Sequence, residues 1–141
     1  MDAAQVADKL SINLVQMNFA QKYKEKVFSY FLNELNKGKT PNPDIYCNKY
    51  IKFKEFTDYA LENGYDAVAT GHYSKIQVIN KEYFLCKSYD QSKDQTYFLS
   101  QVDRDIFSKI KFPLGNLLKT DVRKIAEKEN LITFDKKDST G

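Results

Sequence analysis

Glycine is scarce in this chain. Its five glycines in 141 residues do not cluster, which excludes a GxGxxG or GxxxxGK(S/T) phosphate cradle within the sequence. Cysteine is limited to Cys47 and Cys86. A redox pair is normally spaced Cys-x-x-Cys, so a thiol-redox domain ranks last among the readings of this chain. No apolar run approaches about 18 residues, so no membrane-spanning helix is expected. Met1-Asp2-Ala3-Ala4 leads directly into a polar helix instead of a signal segment, and with so few cysteines a reducing, cytoplasmic setting is expected. Neither charge sign dominates: 22 basic against 19 acidic residues leave +3, which permits nucleic-acid binding without requiring it. What is plentiful is apolar and aromatic material, 42% and 14%. That is enough for a core and excludes a disordered chain. The length suits one domain.

Periodicity predicts a helix over 3–10, a short strand over 12–17 and a helix from Phe19 to Leu35 closed by Lys37-Gly38. A second helix is expected from Asn48 to Asn63, with Phe53, Phe56, Tyr59 and Ala60 inward. Tyr65 to Thr70 reads as a buried parallel strand running into Gly71-His72-Tyr73. The alternation over 75–79 and 82–87 around Asn80-Lys81 predicts a hairpin. Asp94 to Leu99 and 105–110 read as short helical turns, the second capped by Asp103. Thr120 is expected to cap a last helix, and Leu131 to Phe134 to form a final strand. Helices alternating with a parallel strand indicate an α/β class. A parallel sheet needs a strand before its first crossover helix, and Asp138-Ser139-Thr140-Gly141 reads as the start of a turn. The chain is therefore expected to be part of a larger domain.

The most informative stretch runs from Thr40 to Phe53. Pro41 and Pro43 stiffen a loop that delivers Asp44 and, three residues on, Cys47. Asn48 is expected to open a lysine-bearing helix there. A helix N-terminus beside cations favours a thiolate, whereas Asp44 would oppose one, so Lys49 or Lys52 must offset it. Alone, a cysteine is more often a small buried hydrophobe, and Asp44 a simple turn residue. His72 is the only histidine. It follows a strand's carboxyl end, where α/β sheets place ligands, although a structural histidine is the plainer reading. Lys93-Asp94-Gln95 reads equally as a solvated helix start. Cys86 lies in an alternating strand and reads as packing. The lysines at 22, 24 and 26 read as a solvated face.

Four segments together resemble the tRNA-specific 2-thiouridylases of the MnmA type. They are Gly38-Lys39-Thr40-Pro41-Asn42-Pro43-Asp44 with Cys47-Asn48-Lys49 and Ile51-Lys52-Phe53; Ala69-Thr70-Gly71-His72-Tyr73; Lys93-Asp94-Gln95-Thr96-Tyr97-Phe98-Leu99; and Phe112-Pro113-Leu114-Gly115 followed by Val122-Arg123-Lys124-Ile125-Ala126. Lys137-Asp138-Ser139-Thr140-Gly141 fits as well. The resemblance implies an incomplete parallel-sheet PP-loop ATP pyrophosphatase domain of the adenine nucleotide alpha hydrolase type, with a small hairpin. Residues 1–141 would be a partial catalytic domain lacking the first strand with its PP-loop and the downstream tRNA-binding and β-barrel domains. It implies ATP, with Mg2+, for adenylation of the wobble uridine, and a persulfide sulfur from a relay protein or cysteine desulfurase. It places Cys47 and Asp44 in catalysis, Gly71 at the nucleotide, and Asn42, Pro43, Asp44, His72, Lys93, Asp94 and Gln95 at the tRNA. A disulfide bond belongs to the same cysteine chemistry. The second family cysteine, expected just after Gly141, is not matched by Cys86, so the piece alone is expected not to turn over. The alternative is a non-catalytic tRNA-binding fragment or scaffold.

Overall fold

The computed structural model describes residues 2–137. The Asp-Ser-Thr-Gly segment lies outside them. Two compact units are formed, one by the stretch up to Met17 with that from Leu117 onward, the other by Asn18–Asn116.

The first unit contains α1 (Asp2–Leu10) and the last helix (Lys119–Lys128). An ion pair joins Lys136 to Asp2, and Arg123 Nη2 donates to the Lys136 carbonyl at 3.0 Å. Residues 12–17 form no strand. Ile12, Leu14 and Val15 are exposed, and an apolar run without a strand neighbour has no ladder to satisfy its backbone. Likewise 131–134 is a turn, closed by Phe134 N–H on the Leu131 carbonyl at 3.1 Å. The last helix begins at Lys119 after an extended Leu118, with no side-chain cap, so Thr120 is inside it.

In the second unit α2 spans 20–36 and α3 spans 43–62. Each is interrupted by wide i→i+5 turns, Lys24–Phe28 in α2 and Cys47–Glu55 in α3. Such turns are rare and concentrate at functional sites. A hydroxyl five residues on closes each: Ser29 Oγ donates to the Lys24 carbonyl at 2.8 Å, Thr57 Oγ1 to that of Lys52 at 3.2 Å. Gly38 and Gly64 end the helices at positive φ, 74° and 84°. Lys22 and Lys26 are not a merely solvated face, because both pair with Glu55 of α3.

The parallel pair is short: β1 (Val68–Ala69) against β4 (Ile110–Lys111), with Val68 opposite Ile110. Ile110, expected to end a helical turn, instead opens this strand, and Arg104–Lys109 before it is a 3₁₀ turn that the Asp103 side chain does not cap. The hairpin is β2 (Ser74–Ile79) with β3 (Glu82–Lys87), Ile79 opposite Glu82. Asn80 and Lys81 both take positive φ, 50° and 66°, as a two-residue turn matched to strand twist requires. Phe53, Ala60, Val68, Leu99 and Ile110 form the core. Burying a side chain such as Phe53 or Leu99 contributes about 1.5–3 kcal/mol each. Thr57, not Phe56, turns inward after Phe53, because the wide turn shifts the buried face; Phe56 is exposed.

Candidate functional site

Asn42 is extended (φ −101°, ψ 107°) and its Oδ1 accepts the Asp44 N–H at 2.9 Å, which makes it the N-cap, with Pro43 as first helical residue. The helix therefore begins at Pro43 and not at Asn48. Asp44 lies exposed in its first turn, where a carboxylate complements the dipole. Cys47 lies one turn further in, its N–H already bonded within the helix to the Asp44 and Pro43 carbonyls. The expected thiolate-favouring helix start is thus taken by Asp44. Burial pushes the Cys47 thiol up, Lys52 acts against that, and Asp44 adds to it. Glu34 pairs with Lys37 at 2.8 Å and Lys39 at 2.6 Å and so fixes the turn that leads into this loop. Tyr46 stacks on Tyr30 with ring centroids 3.9 Å apart. Cys47 and Cys86 are both free thiols, so no disulfide joins them. Cys86 sits in β3 opposite Lys75.

Beyond β1, the Thr70 N–H extends the pairing to the Lys111 carbonyl at 3.1 Å. Thr70 Oγ1 lies 2.8 Å from His72 Nδ1. The imidazole is flanked by Phe53 at 5.5 Å and Phe112 at 6.2 Å between centroids. Burial, assisted by Lys52, lowers its pKa to about 4, so it is neutral near pH 7. Gln95 clasps the next residue twice: its N–H donates to the Tyr73 carbonyl at 2.9 Å and its Oε1 accepts the Tyr73 N–H at 3.0 Å. Asp94 Oδ1 accepts from the Ser88 N–H and from Thr96 Oγ1, both at 2.8 Å, and so holds the loop that carries Lys93. Lys93 N–H donates to the Asp90 carbonyl at 3.2 Å.

Lys52, Phe56, Thr70, Gly71, His72 and Gln95 surround an open hollow of about 400 Å³ at the carboxyl end of β1. The structure brings Gly71, His72 and Gln95 together there. Asn42, Pro43, Asp44, Cys47, Lys93 and Asp94 do not line it. Asn48 links the two groups, its Nδ2 donating to the Phe98 carbonyl at 3.1 Å, and the first turn of α3 packs on the Thr96–Leu99 turn. Hydrophobic spacing points neither Lys52 nor Phe56 toward this hollow. Ordinary helical spacing turns Phe56 inward, and only the wide turn reveals it as exposed.

The description of the tRNA methyl transferase HUP domain family matches residues 1–141, the whole chain. The chain belongs to this family. The chain is 54% identical over 145 residues to the tRNA-specific 2-thiouridylase MnmA of Mycoplasma mycoides subsp. mycoides SC, covering 100% of the chain and 38% of that protein. It is 51% identical to that of Lactiplantibacillus plantarum (99% and 38%) and 50% identical to that of Chromobacterium violaceum (100% and 37%). The chain spans somewhat over a third of the length of these relatives. As a HUP-family domain it has the α/β layout, with a parallel strand pair and a separate antiparallel hairpin. Among the described residues no helix is long and apolar enough to cross a membrane.

Proposed function

We propose that this chain is the thiol- and base-presenting part of an enzyme that 2-thiolates the wobble uridine of tRNA. The observation that carries the reading is the Asn48–Phe98 bond. It fixes the helix bearing Asp44 and Cys47 to the segment whose Gln95 lines the hollow with Gly71 and His72. The 50–54% identity to proteins named tRNA-specific 2-thiouridylases supports it.

The hollow suits the nucleoside end of ATP. Apart from its own chain neighbours, nothing lies within 4 Å of where a Cβ on Gly71 would project, so a planar ring can approach the backbone there. Phe56 offers an exposed aromatic face and His72 a neutral ring. ATP, with its nucleoside end held by Gly71, His72 and Gln95 and with Mg2+, would supply the activation of the uridine 2-oxygen. The chain's own residues do the rest. Asp44, exposed on the first turn of α3, exchanges a proton with the base. Cys47 takes part in sulfur handover from a persulfide brought by a carrier protein. Asn42 and Pro43 fix Asp44. Lys93 meets a tRNA phosphate, and Asp94 and Gln95 keep its loop in place. Residues 1–141 form part of the catalytic domain, and turnover needs the rest of the enzyme.

The test is thiouridine formation by the complete enzyme carrying this domain. Cys47→Ser abolishes thiolation while tRNA binding persists, and Cys86→Ser leaves it intact. Wild-type thiouridine from the Cys47→Ser enzyme removes the assignment. Binding of tRNA without thiolation by the wild-type enzyme would instead favour a binding scaffold.

A further inference from the structure

The lysines of the wide turn in α3 are not equivalent. Lys54 pairs with Asp58 at 2.9 Å, and Lys49 lies over the Tyr50 ring at 5.3 Å. Lys52 is exposed and makes no ion pair or ring contact among the described residues. It lines the hollow with Gly71, His72 and Gln95. It also follows Cys47 by five positions within Cys47–Glu55. At 3.6 residues per turn, positions five apart point away from each other. Where the N–H bonds five residues back, as Phe56 N–H does to the Ile51 carbonyl, such positions turn toward the same side of the helix. The wide turn thus gives one ammonium two neighbours that an ordinary helix would separate, the half-buried thiol along the helix and the hollow beside it.

We propose that Lys52 is a further catalytic residue, its ammonium shared between the phosphoryl anion of an adenine nucleotide in the Gly71–His72 hollow and the sulfur of Cys47. The inference deepens the functional reading above and rests on it for the identity of the nucleotide. Three observations support it: the unpaired ammonium, the common lining, and the wide turn, which brings Lys52 toward the side of the helix that carries Cys47. The charge of Lys52 is felt at both ends, acting on the Cys47 thiol and on the His72 ring. The other charged group acting on Cys47 is Asp44, of opposite effect, and Lys52 is the charged group acting on His72. A cation between an anion and a nascent thiolate stabilises both and ties nucleotide occupancy to thiol reactivity.

The experiment uses the complete enzyme carrying this domain, AMP and adenosine as probes, and two readouts. NMR titration followed at the His72 ring measures affinity, and the pH profile of iodoacetamide alkylation measures Cys47. In Lys52→Met, AMP affinity falls about tenfold while adenosine affinity is unchanged, and Lys52→Arg stays within about threefold of wild type. The alkylation midpoint of Cys47 rises by about half a pH unit in Lys52→Met and returns in Lys52→Arg. Because Lys52 is exposed, circular dichroism of both variants should match wild type. Equal AMP affinity in Lys52→Met, no AMP-induced shift at His72, or an unmoved Cys47 profile overturns the proposal. So does a loss confined to binding of an anticodon stem-loop RNA. Thiouridine assays on the complete enzyme judge the functional reading separately: Cys47→Ser inactive with Lys52→Met neutral toward AMP leaves that reading standing and removes this one.

Discussion

Asn48 Nδ2 donates to the Phe98 main-chain carbonyl at 3.1 Å, across 50 positions of sequence. Asn48 is 2% exposed, and its Oδ1 is buried without a protein partner. The amide therefore keeps one bond that joins two segments and one acceptor that the packing leaves unused. Asn48→Ala is expected to destabilise the domain by about 1–3 kcal/mol, since it removes the bond and strands the Phe98 carbonyl. Urea unfolding measures the loss, and hydrogen exchange should show faster opening of the 95–98 turn. A stability within error of wild type would mean that the bond contributes nothing net.

The Cys47 thiol is held up chiefly by burial, and the Asp44 carboxylate adds to the effect. Asp44→Asn removes the negative charge and should lower the thiol's pKa. Alkylation of Cys47 at pH 7 should then run about threefold faster than in wild type. The same substitution should remove uridine thiolation in the complete enzyme. The two readouts thus move in opposite directions, which a general unfolding would not produce.

His72 has a folded-state pKa near 4 against an ordinary value of 6.5. Between these values the unfolded chain binds a proton that the folded chain does not, so stability increases with pH across that window. The contribution is fully present above about pH 6.5 and is lost as pH falls through 4. Its size is on the order of 2 kcal/mol after allowance for solvent around a half-buried ring. His72→Gln should flatten the dependence of unfolding free energy on pH between 4 and 6.5. An unchanged slope would assign the dependence to other groups.

Gly115 sits where the 112–116 turn meets the hairpin. A Cβ there would lie 2.1 Å from the Ser74 carbonyl oxygen and 2.6 Å from Lys75 Cγ. The Gly115 carbonyl also accepts the Tyr89 N–H at 2.8 Å. Gly115→Ala should push the turn off the hairpin and cost about 1–3 kcal/mol, read by thermal unfolding. Loss of protection at the Tyr89 amide would locate the damage.

The hairpin was legible because alternation and the Asn80-Lys81 turn are local signals, and the strands formed where the pattern ends. The start of α3 was legible too, in Asn42-Pro43, an N-cap followed by a proline that suits the first helical turn. Treating both prolines as loop residues moved the start to Asn48 and placed Cys47 at a helix end it does not occupy. The wide turns could not be read, because an extra residue per turn is decided by packing and by hydroxyls such as Ser29 and Thr57, not by hydrophobic spacing. That is why spacing alone turns Phe56 inward and leaves Lys52 without a place at the hollow. Ile110–Lys111 escaped notice because a two-residue strand carries no periodicity. Residues 12–17 carried a strand-like pattern without a neighbour to complete it.

The two i→i+5 stretches also make helix length a variable with consequences. In α3 the stretch Cys47–Glu55 is wound more widely than a regular helix, so it completes fewer turns over the same number of residues. Deleting a single residue there would let the backbone relax into the commoner geometry. Winding and residue count would then change together, so the phase of everything upstream relative to Phe53 and the core would be reset. Asp44 and Cys47 would keep their neighbours in sequence yet change phase against the hollow. Conservative substitutions within this stretch are therefore easier to accommodate than indels, and the alignment gap, more than the residue change, is the event to look for in a non-functional relative.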